Sequence, residues 1–210
     1  MEDERGRLPL DIYLMRHGRS LADEEGRIES RYDSPLTKAG VEAARSAGER
    51  FLEGGVSFDC IITSELRRAR RTGEILRDML RVGRLEQSPL LNEVDRGLLC
   101  GLEREEADAR YPAPAFRGRF ARYPGDSGES QCEARSRALL AVRAIVCLGL
   151  ESVLVVSHGG ILNEIVGAIM NIPSSSDGRS GAFFSFGNCG YARLQYRPDR
   201  DSWFLLEFCR

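Results

Sequence analysis

Short apolar runs alternate along this chain with longer stretches in which apolar positions recur every three to four residues. The first kind predicts buried strands and the second predicts helices packed by one face. Ile12-Tyr13-Leu14-Met15 marks a first strand over 9–16, followed by a polar loop reaching Leu36. Thr37 predicts the N-cap of a helix running to about Leu52, with Val41, Ala44, Ala47, Gly48 and Phe51 turned inward. Phe58-Asp59-Cys60-Ile61-Ile62 reads as a second buried strand, after which Ser64 is expected to cap a helix from Glu65 to about Leu80. Residues 85–90 form a candidate short strand. The pattern then breaks down from Asn92 to Gly128, where Tyr111-Pro112-Ala113-Pro114 and Tyr123-Pro124-Gly125 interrupt it and only 103–110 reads as helical. A long irregular stretch in a compact domain is usually functional, and residues 94–128 are expected to form a lid or specificity region. Periodicity returns with a helix over 129–150, a strand over 152–157 and a helix over 160–170. Two or three terminal strands are expected, at 182–187, 190–196 and 203–208. Strand-helix alternation ending in a hairpin predicts a mainly parallel sheet with an antiparallel edge.

The length of 210 residues fits one domain, with residues 1–8 as a charged mobile tail. A formal net charge of −2 gives nothing global to attract nucleic acid or a membrane surface. Lys38 is the only lysine, so most arginines are expected to be ordinary surface charges. Position alone can nominate one for function. The six cysteines are scattered without a C-x-x-C pair, and the N-terminal segment carries charge where a secretory signal needs an apolar core. Reduced thiols in a cytoplasmic protein are the expected reading. No apolar stretch reaches the ~18–20 residues of a membrane span. No metal-ligand spacing is present, and no G-x-G-x-x-G follows the first strand, so neither a metal nor a dinucleotide cofactor is expected.

Candidate chemistry lies at the ends of two strands. His17 and His158 are the only histidines, and each follows an apolar run and precedes a glycine. In α/β sheets that rim binds ligands, and a glycine there allows close approach to the backbone. A neutral imidazole has a lone pair near pH 7 that can attack phosphorus. Guanidinium groups such as Arg16 and Arg68 match phosphoryl oxygens, and a carboxyl such as Glu93 can protonate an alkoxide leaving group.

Arg16-His17-Gly18-Arg19-Ser20, continued by Asp33-Ser34-Pro35-Leu36-Thr37-Lys38-Ala39-Gly40, resembles the histidine phosphatase superfamily, also called the phosphoglycerate-mutase-like family. Four further elements follow in that family's order. They are Thr63-Ser64-Glu65-Leu66-Arg67-Arg68-Ala69 with Thr72, Leu91-Asn92-Glu93 with Gly97, Gly128-Glu129-Ser130, and Ser157-His158-Gly159. The resemblance implies a three-layer α/β/α sandwich around a mixed, mostly parallel sheet. It implies His17 as the nucleophile that becomes phosphorylated, with Arg16, Arg68 and His158 binding the phosphoryl group and Glu93 as proton donor. Ser20, Asp23, Ser30 and Gly159 are the further candidate substrate contacts.

Three departures fall where substrate choice is made. Asp23 replaces the Asn of many members, and an ionised carboxylate there would repel a second anionic group or attract a substrate amine. Glu29-Ser30-Arg31 stands where many members have a Gly and an aromatic residue. Gly97-Leu98-Leu99-Cys100-Gly101 lacks the familiar Trp. The expected function is metal-independent hydrolysis of a small phosphorylated metabolite. A phosphoglycerate mutase is the alternative; the Glu93–His158 interval is short for one, although Arg117, Arg119 and Arg122 within it could recognise a carboxylate or second phosphate. A non-catalytic phospho-ligand-binding module is the third possibility. Oligomeric state is not legible.

Overall fold

The computed structural model describes residues 8–173 and 183–210. Six strands form one sheet in the order β3-β2-β4-β1-β5-β6. β1 (Leu10–Arg16), β4 (Ser152–Ser157), β2 (Cys60–Thr63) and β3 (Leu85–Gln87) run parallel, and β5 (Tyr191–Arg197) and β6 (Ser202–Cys209) complete an antiparallel edge. Alternating side chains of the central strands separate two cores, as a period of two requires. Ile12, Leu14, Val153 and Val155 join Ala138, Ala141, Ile161, Leu162 and Ile165 on one face. Those partners come from α5 (Gln131–Val146) and α6 (Gly159–Ile169). Tyr13, Met15, Leu154 and Val156 join Ala44, Phe51, Ala69 and Leu76 on the other face, from α2 (Lys38–Glu53) and α3 (Arg67–Leu80). The result is the expected α/β/α sandwich. Among the described residues, no helix is long and apolar enough to cross a membrane.

Local chemistry explains most element ends. Thr37 caps α2 by accepting from Gly40 N, and Ser130 caps α5 with a reciprocal Glu133 contact. The helix expected over 129–150 therefore begins after that capping box and stops at Val146. The loop to Leu36 contains a single turn, α1 (Leu21–Glu24), capped by Ser20. β3 ends at Gln87 because Pro89 lacks an N–H and turns the chain into a 3₁₀ turn at Pro89–Leu91.

Two expectations change. Ser64 does not cap α3, whose N-cap is Leu66 without a side-chain hydrogen bond. The hydroxyl accepts from Leu66 N and is otherwise engaged by Asn92 and His158. No strand forms over 183–187, and residue 182 lies outside the described residues. Asn163 Oδ1 and Nδ2 hold the N–H and carbonyl of Phe184, occupying the groups a strand would pair. Phe186 still enters the core. Within 94–128, α4 (Arg104–Arg110) accompanies 3₁₀ turns at Gly97–Leu99 and Pro124–Asp126.

Candidate active site

β1 and β4 pair in register, Arg16 opposite Ser157, so His17 and His158 leave adjacent central strands side by side. His17 N donates to Ser157 O at 2.9 Å. The two rings lie with centroids 5.0 Å apart. After β1 the chain passes to β2 over one face, and after β4 it passes to β5 over the other. The histidines thus occupy the crevice where strand connections diverge, the usual ligand position in such sheets. Gly18 and Gly40 let the following loop lie directly on α2, because a Cβ on either would run into the other segment's backbone.

Hydrogen-bond partners fix the state of each ring. His17 Nδ1 lies 2.7 Å from Gly18 O, an acceptor only, so Nδ1 carries the proton. Nε2 keeps its lone pair, toward which Arg68 Nε points at 3.1 Å. Burial first, then the Arg68 and Arg16 guanidinium groups, hold the His17 pKa well below its usual 6.5. The ring is held neutral at neutral pH.

The second histidine is oriented by a relay that begins at the backbone. Glu65 N–H can only donate, so its 2.9 Å contact identifies Asn92 Oδ1 as acceptor. Ser64 Oγ must then donate to that same oxygen, at 2.8 Å. Ser64 Oγ therefore accepts from His158 Nε2–H at 2.8 Å. His158 Nδ1, buried, is left as a bare acceptor without a partner among the described residues. Burial and Arg68 push this ring's pKa down as well.

Arg68 is fully buried on α3. Its terminal nitrogens donate to Tyr32 O at 2.8 Å and Ser30 O at 2.9 Å, which aims Nε at the crevice. Arg16 donates to Phe186 O at 3.2 Å and pairs with Asp23 at 3.3 Å. Glu93 sits at the start of α6, its carboxylate accepting from Val94 N, Gly160 N and Ile161 N at 2.8–3.0 Å. The loop bearing it is clamped from behind. Arg137 forks onto Glu129 at 2.7 Å and donates to the carbonyls of Leu90 and Asn92, while Glu129 accepts from Asp95 N.

A cleft of about 170 Å³ gathers Arg16, His17, Asp23, Glu29, Ser30, Glu93 and Gly159, with Arg27, Arg96 and Arg104 at its margin. Ser20 is buried behind it, accepting from Asp23 N and donating to Glu29. The Ser30 hydroxyl is occupied by Val94 O and Arg96 N, and so fastens the 94–96 loop. A second cavity of about 400 Å³ shares Arg96 and Gly159 and includes Arg117, Tyr123 and Asn163. Arg122 is instead paired with Glu133, and Arg119 is exposed. The arginine run in α3 is no basic stripe, since Arg68 is buried and Arg70 and Arg71 both face Glu74. Sequence reasoning placed Glu29 in a departure at the pocket's edge without foreseeing its contacts to Arg68 and His17, and it missed the Ser64–Asn92 relay and the Glu129–Arg137 clamp.

Relatives agree with this architecture. The chain is 31% identical over 193 residues to a Proteus mirabilis protein named "Probable phosphoglycerate mutase GpmB", covering 90% of this chain and 86% of that protein. It superposes on Bacillus stearothermophilus YhfR with a TM-score of 0.78 at 25% identity, covering 93% of this chain and 95% of the other. A mycobacterial glucosyl-3-phosphoglycerate phosphatase shares the fold at a TM-score of 0.76 and 23% identity, covering 94% and 97% of the two chains. With a family model matching residues 12–208, the chain belongs to branch 1 of the histidine phosphatase superfamily.

Proposed function

We propose that this protein hydrolyses a small phosphomonoester through a phosphohistidine on His17, without a metal. The observation that carries this reading is the His17 tautomer: Nδ1–H is tied to a carbonyl, which leaves the Nε2 lone pair, met by Arg68 Nε at 3.1 Å, on a ring that lines one cleft with Arg16 and Glu93. In the first step Nε2 attacks phosphorus, the ester P–O bond breaks, and Glu93 gives the departing alkoxide its proton. In the second, Glu93 takes a proton from water, the oxygen attacks the phosphohistidine, and inorganic phosphate leaves with the P–N bond broken. Arg16 and Arg68 offset charge spread over the transferring group, worth roughly 3–4 kcal/mol per fixed donor. The adjoining cavity gives room for the alcohol portion of the ester.

A second reading, phosphoglycerate mutase, is favoured by Arg96 and Arg104 in the lining of the cleft, which suit a second anionic group on the substrate, whereas Arg27 there is paired with Glu25 and Glu103. Those two guanidinium groups offset the repulsion expected from Asp23, whose charge is partnered by Arg16. We further propose a cytoplasmic enzyme whose partner is a phosphorylated metabolite. Rapid quenching during turnover should trap an acid-labile, base-stable phosphoprotein that is absent from His17→Ala, with activity retained in EDTA. Full activity in His17→Ala, or complete loss in EDTA, would refute the mechanism.

A further inference from the structure

The pocket around His17 and Arg68 contains a negative charge of its own. Glu29 lines the cleft, and its side chain is only 15% exposed. Its Oε1 lies 3.2 Å from Arg68 Nε, and Oε2 lies 3.7 Å from His17 Nε2. Ser20 Oγ donates to the same carboxylate at 2.5 Å. The carboxylate is therefore gathered around the nucleophilic nitrogen and the buried guanidinium, where a phosphoryl group must sit to be attacked. Arg68 Nε–H points at His17 Nε2 with the Glu29 carboxylate beside it, so an incoming phosphoryl group must compete for that guanidinium, and at such separations like charges repel strongly in a site shielded from water. Asp23 poses no equivalent obstacle, because it rests on Arg16 at the cleft wall.

We propose that Glu29 is a displaceable internal anion of the phosphoryl pocket and thereby a residue that determines which esters bind. The proposal takes the identity of the incoming anion from the phosphatase reading. Eviction has a destination, since Arg96 and Arg104 line the same cleft and neither forms a side-chain ion pair among the described residues. A carboxylate leaving Arg68 meets guanidinium at the mouth. The consequence is selection by charge: a carboxylate that stays within the same cleft opposes a phosphomonoester dianion more strongly than a monoanionic phosphodiester.

Calorimetric titration of inorganic phosphate at neutral pH into wild type, Glu29→Gln and Glu29→Ala tests this directly. Gln keeps the shape and the Ser20 contact, Ala empties the position, and either one decides should the other fail to fold. Both variants should bind phosphate roughly tenfold tighter or more, the scale of one relieved like-charge contact. The preference for phenyl phosphate over methyl phenyl phosphate as competing ligands should widen, because the dianion gains more from loss of the carboxylate. Unchanged or weaker phosphate affinity overturns the proposal, as does an unchanged preference. Binding needs no turnover, so tighter binding without any phosphohistidine would keep this inference and sink the phosphatase reading. A trapped phosphohistidine with unchanged affinity would do the reverse.

Discussion

At the scale of single residues, the site is governed by proton positions that backbone groups dictate. Gly18 O fixes His17, and Glu65 N–H fixes Asn92, Ser64 and then His158. Both rings are buried beside guanidinium groups, and burial is the larger reason their pKa values fall well below 6.5. The sign of the linkage follows. An unfolded histidine protonates near 6.5, so below that pH the unfolded chain binds more protons than the folded one. Stability must therefore drop as pH falls, and be flat in this respect above it. The chain has two histidines, so ordinary side chains contribute little else in the window from about pH 6.5 to about 5. Thermal midpoints should decline across that window, with a shallower slope in His158→Asn. A flat profile would mean that the rings are not held neutral in the fold.

At the scale of elements, hydrophobic period located the helices and strands well, because the two sheet faces and four long helices bury apolar residues at regular spacing. It failed where a polar side chain served a distant partner. Ser64 has the sequence of an N-cap, yet its hydroxyl is engaged by His158 and Asn92, more than 25 positions along the chain. Phe184 and Phe186 read as strand residues, but Asn163 takes the hydrogen bonds that would have paired them. The Glu129–Arg137 clamp was equally hidden, since neither residue's target, the 90–95 loop, is close in sequence. Its purpose is testable. Arg137→Met removes the fork that holds three successive pieces of that loop while leaving the cleft lining intact, and it should act through the position of Glu93. It should slow alkyl phosphates by about tenfold, in the direction of Glu93→Gln but milder than the ~10²–10⁴ expected of losing a general acid. p-Nitrophenyl phosphate, whose leaving group needs no proton, should be slowed much less by both. Equal slowing of both substrates in Arg137→Met would make the clamp a matter of general folding instead.

At the scale of the whole molecule, the order of motifs carried the family and hence the sandwich, while the substrate remained invisible because it is set by loops that meet only in space. The Glu29-Ser30-Arg31 departure is visible in the sequence, but that its carboxylate meets Arg68 and His17 is not, and Arg27, Arg96 and Arg104 converge from separate segments. These loops also bear on whether phosphate goes to water or back to a sugar acid. A mutase must keep a bisphosphate bound long enough to turn, shielded from water, on a phosphorylated histidine. Here the chain between Glu93 and α5 forms one short helix and single 3₁₀ turns, and the His17 cleft adjoins a larger cavity through Arg96 and Gly159. Glu29 works in the same direction, because a returning carboxylate hastens departure of any anion not covalently held. Given 3-phosphoglycerate with catalytic 2,3-bisphosphoglycerate, the enzyme should release inorganic phosphate faster than it forms the 2-isomer. Glu29→Gln, by retaining anions longer, should raise the share of isomer without abolishing hydrolysis. Isomerisation outpacing phosphate release in the wild type would establish the mutase reading, and would mean that the arginines at the cleft margin hold the intermediate against the water that this open site admits.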